Sequence, residues 1–261
     1  MKTKFCFVTS RQLFLIIILV VNLLYITSGN VNAQTTQVKN IILVHGAFAD
    51  GSGWKAVYDI LTKKGYHVSI VQNPLTSLTD DVNATNSVIN AQDGPVILVG
   101  HSWGGTVITQ AGINPKVTGL VYVSAFIPDS GESTAQWVSV APPSPEAGFT
   151  KPDQFGFVYF DPAKFHGGFA GDLPKAQSDF MCASQVPIIG KCFGEVVEQA
   201  AWKTKPSYGI VSTEDKALNP DTQRTMYKRA HAKITELKGS HVIFISQAQA
   251  VVNVIMAAAG N

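Results

Sequence analysis

Pro95-Val96-Ile97-Leu98-Val99-Gly100-His101-Ser102-Trp103-Gly104-Gly105 decides how the rest of the chain is read. Its first five residues form an apolar run of the kind that makes a buried strand. The stretch from Gly105 to Ala111 reads as a helix. Between them lies G-x-S-x-G. A strand that turns sharply into a helix through this pattern exposes the serine oxygen beside the helix N-terminus. The pattern alone is weak, because glycine-rich turns also let a helix pack closely on a sheet. Its flanks make Ser102 a candidate nucleophile.

Working outward, apolar strands alternate with amphipathic helices. Val38–Val44, His67–Val71 and Val117–Ser124 read as strands. Gly53–Lys64 and Leu78–Ala91 read as helices. The first of these helices presents Trp54, Val57, Tyr58 and Leu61 on one side. The second carries Asp80 and Asp81 in its first turn, where acids complement the helix dipole. The alternation is lost over about 128–205, a stretch rich in Pro, Gly and aromatics. It resumes with a strand at 206–211, a helix at 220–230, a strand at 232–237 and a helix at 246–258. Strands that are apolar throughout, alternating with helices, predict a parallel sheet covered on both faces. The interruption predicts a cap inserted in one domain. Its aromatic residues, Phe149 to Phe169, suit either a pocket lining or a small core of the cap's own.

The N-terminus reads as a leader. Lys2, Lys4 and Arg11 precede an apolar stretch from Leu13 to Ile26, and Val31-Asn32-Ala33 offers small residues at a cleavage site. Residues 1–33 are expected to be a signal peptide, with 34–261 the domain, exported to the periplasm or the medium. The leader holds three of the 20 basic residues and none of the 18 acids, so the mature chain is nearly neutral. No basic stripe suggests nucleic acid, and no membrane partner is expected after cleavage. Cys182 and Cys192 remain after cleavage. In an oxidising compartment they can pair, or they can stay as two buried thiols. They fit no metal-ligand spacing, and no metal or cofactor is expected.

A serine nucleophile needs a base, and the base needs an acid. Loops at the carboxyl ends of strands are where open α/β sheets hold ligands. The loop after strand 206–211 carries Glu214 and Asp215; the loop after strand 232–237 carries His241. Asp215 is preferred, with Glu214 a chemical substitute. The oxyanion donors are expected to be the backbone amides of Trp103 and Ala47, with Phe48 the neighbour that could replace the latter. Phe48, Phe126 and Trp137 are the candidate substrate-lining residues.

His45-Gly46-Ala47, Gly53-Trp54, Gly100 to Gly105, Thr213-Glu214-Asp215 leading to Gln223, and Gly239-Ser240-His241 together resemble the α/β-hydrolase superfamily. More narrowly they resemble the branch of plant methyl-ester esterases, hydroxynitrile lyases and bacterial relatives. The resemblance runs along nearly the whole mature chain, except the cap. It implies Ser102 as nucleophile, His241 as base and Asp215 as its partner. The lyases of that branch carry threonine and lysine where this chain has Gly46 and Val242. This departure favours ester hydrolysis over C–C cleavage, and the aromatic residues suit a small apolar or aromatic carboxylic ester. Lactonase, amidase or C–C lyase chemistry on the same three residues, and a non-catalytic ligand-binding scaffold, are the alternatives.

Overall fold

The computed structural model describes residues 1–3 and 37–260; apart from its first three residues, the leader expected over 1–33 lies outside them. Six strands form one sheet among the described residues, all paired in parallel. They are β1 (Asn40–Val44), β2 (His67–Val71), β3 (Val96–His101), β4 (Val117–Val123), β7 (Ser207–Ser212) and β8 (Lys233–Leu237), in the order β2-β1-β3-β4-β7-β8. The interior strands β1 and β3 are buried along their whole length. The chain leaves β1 toward one sheet edge and returns through β3 toward the other. This reversal opens a crevice at the carboxyl ends of β1 and β3, the usual ligand position of such sheets.

Helices cover both faces. α1 (Lys55–Lys63) packs against α9 (Ala248–Ala258), and α2 (Leu78–Asn90) against α3 (Trp103–Ala111), the helix that follows the serine. α1 buries Val57 and Leu61, and Trp54 is buried in the short turn of helix before it. Tyr58, expected on the same face, is exposed. It follows Val57 directly and is therefore turned about 100° away from it around the helix. Ser77 caps α2 by accepting from the Asp80 amide at 2.9 Å. Asp80 faces solvent as a first-turn acid should, whereas Asp81 points into the protein.

Between β4 and β7 the chain leaves the sheet. This excursion holds α4 (Thr134–Val138), α5 (Pro162–Phe169) and α6 (Lys175–Ala183). It also holds a two-stranded antiparallel ribbon of β5 (Phe157–Val158) and β6 (Ile188–Ile189), and a 3-10 turn at Gly190–Gly194. Its aromatics divide by role. Phe160, Phe165 and Phe169 are buried and touch one another edge-on or tilted. Phe48 from the sheet side joins them against Phe160 and Phe169. Phe155 is 71% exposed and belongs to neither core nor cavity at the serine. α7 (Pro220–Arg229) and α8 (Ile243–Ser246) complete the chain order around β8.

Candidate active site

Ser102 stands between β3 and α3 with φ 52° and ψ −120°. A non-glycine residue there is strained by about 1–3 kcal/mol and persists only where its surroundings over-determine it. Here they do. The Ser102 amide donates to Val123 O at 3.3 Å, and its carbonyl accepts from Gly105 N (2.9 Å) and Phe126 N (3.2 Å). The turn also brings α3 against β1. A Cβ on Gly104 would stand 2.6 Å from the Val44 carbonyl oxygen. Only glycine lets the two backbones approach this closely.

The two acids of the loop after β7 have different surroundings. Glu214 is half-exposed, with its carboxylate 3.6 Å from Lys238. Asp215 is buried, and its Oδ2 accepts from His241 Nδ1 at 2.7 Å, with side chains 0% and 2% exposed respectively. The Asp215 carboxylate is saturated. Oδ1 accepts from the amides of Ala217 (2.9 Å) and Leu218 (2.8 Å), and Oδ2 also from Gln223 Nε2 (2.9 Å). Gln223 is fixed in turn, accepting from Ser212 N and donating to Leu218 O. With Nδ1 engaged, His241 has Nε2 free of any hydrogen bond among the described residues. No hydrogen bond joins Ser102 Oγ to His241 among the described residues. The two loops are nevertheless tied together, since His101, the residue before the serine, donates from Nε2 to the His241 carbonyl at 2.9 Å. The His101 ring also packs on the His241 ring, with centroids 4.6 Å apart.

Two further residues hold the His241 loop, and both come from the excursion. Phe169 meets the His241 ring edge-on at 5.0 Å. Asp172 accepts from Ser240 N (3.0 Å), Ser240 Oγ (2.5 Å) and Ser246 Oγ (2.6 Å). No sequence signal links Asp172 to residues some seventy positions away.

Burial pushes His45 and His101 below the ordinary histidine value of 6.5, and the neighbouring His241 adds to the effect at His101. Each is thus held neutral in the fold but binds a proton normally once unfolded. The stability this contributes is present above about pH 6.5 and is lost as pH falls through and below it. The urea midpoint is therefore expected to fall between pH 7.5 and 5.5. His101→Gln, which keeps a donor for the His241 carbonyl, should fall less; an equal decline in both proteins would remove His101 as a source.

The loop after β1 lies across from the serine. His45 Nε2 accepts from Asn73 N at 2.9 Å, so Nδ1 carries the proton and donates to Gly46 O at 2.8 Å. Asn73 Nδ2 donates to His45 O at 2.8 Å, closing a clamp on the loop. Gly46 has no room for a side chain, since a Cβ there would stand 2.8 Å from Ser102 Cβ. The amides of Ala47 and Trp103 have no acceptor among the described residues. For Trp103 this follows from its place at the first turn of α3, where amides lack intrahelical partners.

Ser102 opens into a cavity of about 290 Å³. Phe48, Phe126, Phe149 and Phe193 supply its rings, with Val158 and Val138 beside them, and no ionisable side chain contributes to the lining. Phe48 and Phe126, two of the candidate lining residues, share this cavity with Ser102. Trp137 does not. Its indole donates to Glu132 Oε2 at 2.8 Å, and the Arg229 guanidinium lies 4.6 Å over its ring. α4 turns that residue toward this charged pair, while Ala135 and Val138 reach the cavity. Cys182 and Cys192 are free thiols. Cys192 is buried and donates weakly to Leu75 O at 3.8 Å. Among the described residues no group of His, Cys, Asp and Glu is placed to hold a metal ion.

The chain is similar to a carbendazim hydrolyzing esterase of Nocardioides sp. (strain SG-4G), at 32% identity over 177 residues. That match covers 62% of this chain and 65% of the esterase, so it spans just under two thirds of that protein's length. It is similar to norfluorocurarine synthase 2 of Strychnos sp at 27% identity, over 83% of this chain and 94% of the synthase. In three dimensions it resembles a pyrethroid hydrolase from Sphingobium faniae JZ-2, with a TM-score of 0.73 at 23% identity. That likeness covers 85% of this chain and 97% of the hydrolase, and speaks for the fold. Residues 41–254 match the alpha/beta hydrolase family as a whole. With the parallel sheet, the strained serine turn and the loop order of β1, β3, β7 and β8 in place, the chain belongs to the alpha/beta hydrolase family.

Proposed function

We propose that this chain is a serine esterase that cleaves a small, uncharged carboxylic ester through an acyl-enzyme intermediate. The observation that carries the reading is the buried His241 Nδ1–Asp215 pair, at the same sheet rim as the strained Ser102. His241 Nε2 takes the Ser102 proton as Oγ bonds to the acyl carbon. The carbonyl electron pair moves onto oxygen, which the Ala47 and Trp103 amides receive. The proton on Nε2 then passes to the leaving alkoxide, and the C–O bond to the alcohol breaks. A water then loses a proton to Nε2 as its oxygen bonds to the acyl carbon; the bond to Oγ breaks, the Nε2 proton passes to Oγ, and the acid leaves with Ser102 restored. Hydrogen bonds of this kind are often long without substrate and tighten in the complex. No metal or organic cofactor enters the scheme.

The phenylalanine-lined cavity and the names of the relatives, a carbendazim hydrolyzing esterase among them, favour an apolar or aromatic ester. The experiment is a nitrophenyl-ester series of rising acyl length, with fluorophosphonate labelling alongside. Hydrolysis, and an adduct on wild type absent from Ser102→Ala, is the expected result. A folded wild type that neither hydrolyses nor labels contradicts the reading. Val158→Phe is expected to raise KM about tenfold for the longer acyl chains and leave acetate within twofold, since even one methylene more or less in an apolar pocket is worth about tenfold or more. Equal effects along the series would place Val158 away from the acyl group.

The basic and apolar leader makes export part of the proposal. The chain recovered from the periplasm or medium of an expressing bacterium should begin at Gln34 by mass measurement. An intact Met1 on the exported protein would contradict cleavage after Ala33.

A further inference from the structure

Asp81 is a carboxylate at 0% exposure that the proposed chemistry does not use. Its Oδ2 accepts from Trp103 Nε1 at 2.7 Å, and its Oδ1 from Leu75 N at 2.8 Å. Trp103 follows the serine and bears one of the two unpaired amides described above. Leu75 is held with φ 58°, a left-handed conformation that its neighbours must enforce. They do so from the excursion: Ile189 N and Cys192 Sγ both donate to Leu75 O, at 2.9 and 3.8 Å. The same turn presents Phe193 edge-on to the Trp103 ring at 5.7 Å and to the cavity at Ser102. One buried acid thus joins the residue after the serine to the pocket-lining turn Gly190–Gly194.

We propose that Asp81 is a positioning residue. By holding the Trp103 indole it fixes the orientation of the Trp103 amide toward a developing oxyanion, and it links that amide to the turn carrying Phe193. The proposal rests on the serine-esterase reading. Burial of an unpaired carboxylate is costly, so one kept at this position needs its partners. Both donors it accepts are N–H groups, one to each oxygen, which suits the ionised form. Burial, with the negative charges of Asp80 and Glu195 nearby, raises its pKa to about 6 against the two hydrogen bonds that lower it. Near neutral pH it is therefore charged, and bonds to a charged acceptor are about twice as strong as neutral ones.

The test compares substrate with a mimic of the charged intermediate. An aryl trifluoromethyl ketone bonds to a serine Oγ through its carbonyl carbon; the carbonyl pair becomes an oxyanion and the serine proton goes to the histidine. Its Ki therefore reads the oxyanion donors, whereas KM for a nitrophenyl ester reads ground-state binding. Losing one such donor outright costs about 10²–10³ in rate; a donor that is present but misaligned should cost less. Asp81→Ala and Trp103→Phe are each expected to weaken Ki about tenfold with KM within twofold. The double variant should be no weaker than Trp103→Phe, because Asp81 acts through that indole. An unchanged Ki to KM ratio in the single variants, or fully additive losses in the double, would overturn the proposal. The double variant removes donor and acceptor together and strands neither, so its Ki to KM ratio decides the matter even where a single variant does not fold. A wild type that forms no adduct with the ketone would defeat the esterase reading itself, whereas a wild-type adduct with unaltered ratios in the variants defeats only the role of Asp81.

Discussion

Ser102→Ala is expected to lower kcat/KM for a nitrophenyl ester by about 10⁴–10⁶-fold while leaving the melting temperature near that of wild type. Removing a nucleophile from a group of residues that work as a unit has effects on this scale. The reason lies in the turn. Ser102 holds its backbone through its own amide and carbonyl, and its side chain makes no hydrogen bond that the fold depends on. Alanine also adopts φ 52° with some strain, as serine does, so stability should change little. A loss of less than tenfold would mean that another group supplies the nucleophile. The measurement is steady-state hydrolysis with a thermal melt of the same sample.

Asp215→Asn is expected to have the next largest effect, about a 10⁴-fold fall in kcat, because the substitution reverses a proton position. The two backbone amides at Oδ1 need an acceptor, so the asparagine oxygen must take that side. Its NH2 then faces both the Gln223 amide nitrogen and His241 Nδ1. Gln223 cannot turn over to help, since its oxygen already accepts from Ser212 N and its nitrogen already donates to Leu218 O. His241 is left to accept at Nδ1 and carry its proton on Nε2. In that form it cannot take a proton from serine. Activity should recover partly at high pH, where hydroxide removes the proton that the ring no longer takes. A variant within tenfold of wild type at pH 7 would show that Asp215 does not set the tautomer. Glu214→Gln, at the half-exposed acid beside it, should stay within about twofold.

The contrast between these two acids shows how much of the site was readable in advance. Ser102, Asp215 and His241 each follow a strand in chain order, and a parallel sheet sends all such loops to one rim. Their placement at one rim of the sheet is therefore foreseeable from strand positions, whereas the bond between His241 and Asp215 is seen only in the fold. The choice of Asp215 over Glu214 rested on resemblance, and its physical basis is visible only in three dimensions, where Gln223 and two amides enclose one carboxylate and solvent takes the other. In the sequence Asp81 reads as an acid complementing a helix N-terminus, a role that suits Asp80 next to it. What distinguishes the two is which way the helix turns toward Trp103, and that is set by tertiary packing. Trp137 stands apart from the Ser102 cavity for the same reason. An aromatic in a cap reads equally well as pocket or scaffold, and here Glu132 and Arg229 claim it. Asp172 left no local trace, because its partners Ser240 and Ser246 are common residues far along the chain. The two cysteines show the limit of proximity in sequence, since ten positions apart they face different neighbours, Gln185 and Leu75.

The central claim is that Ser102 becomes acylated during turnover. Rapid mixing of excess nitrophenyl ester with the protein, followed by acid quench and peptide mass mapping, tests it most directly. The expected result is a burst of about one nitrophenolate per chain, with the acyl mass on the peptide holding Gly100-His101-Ser102-Trp103-Gly104. Steady hydrolysis with no acyl adduct on that peptide, or with the adduct on a different residue, would contradict it.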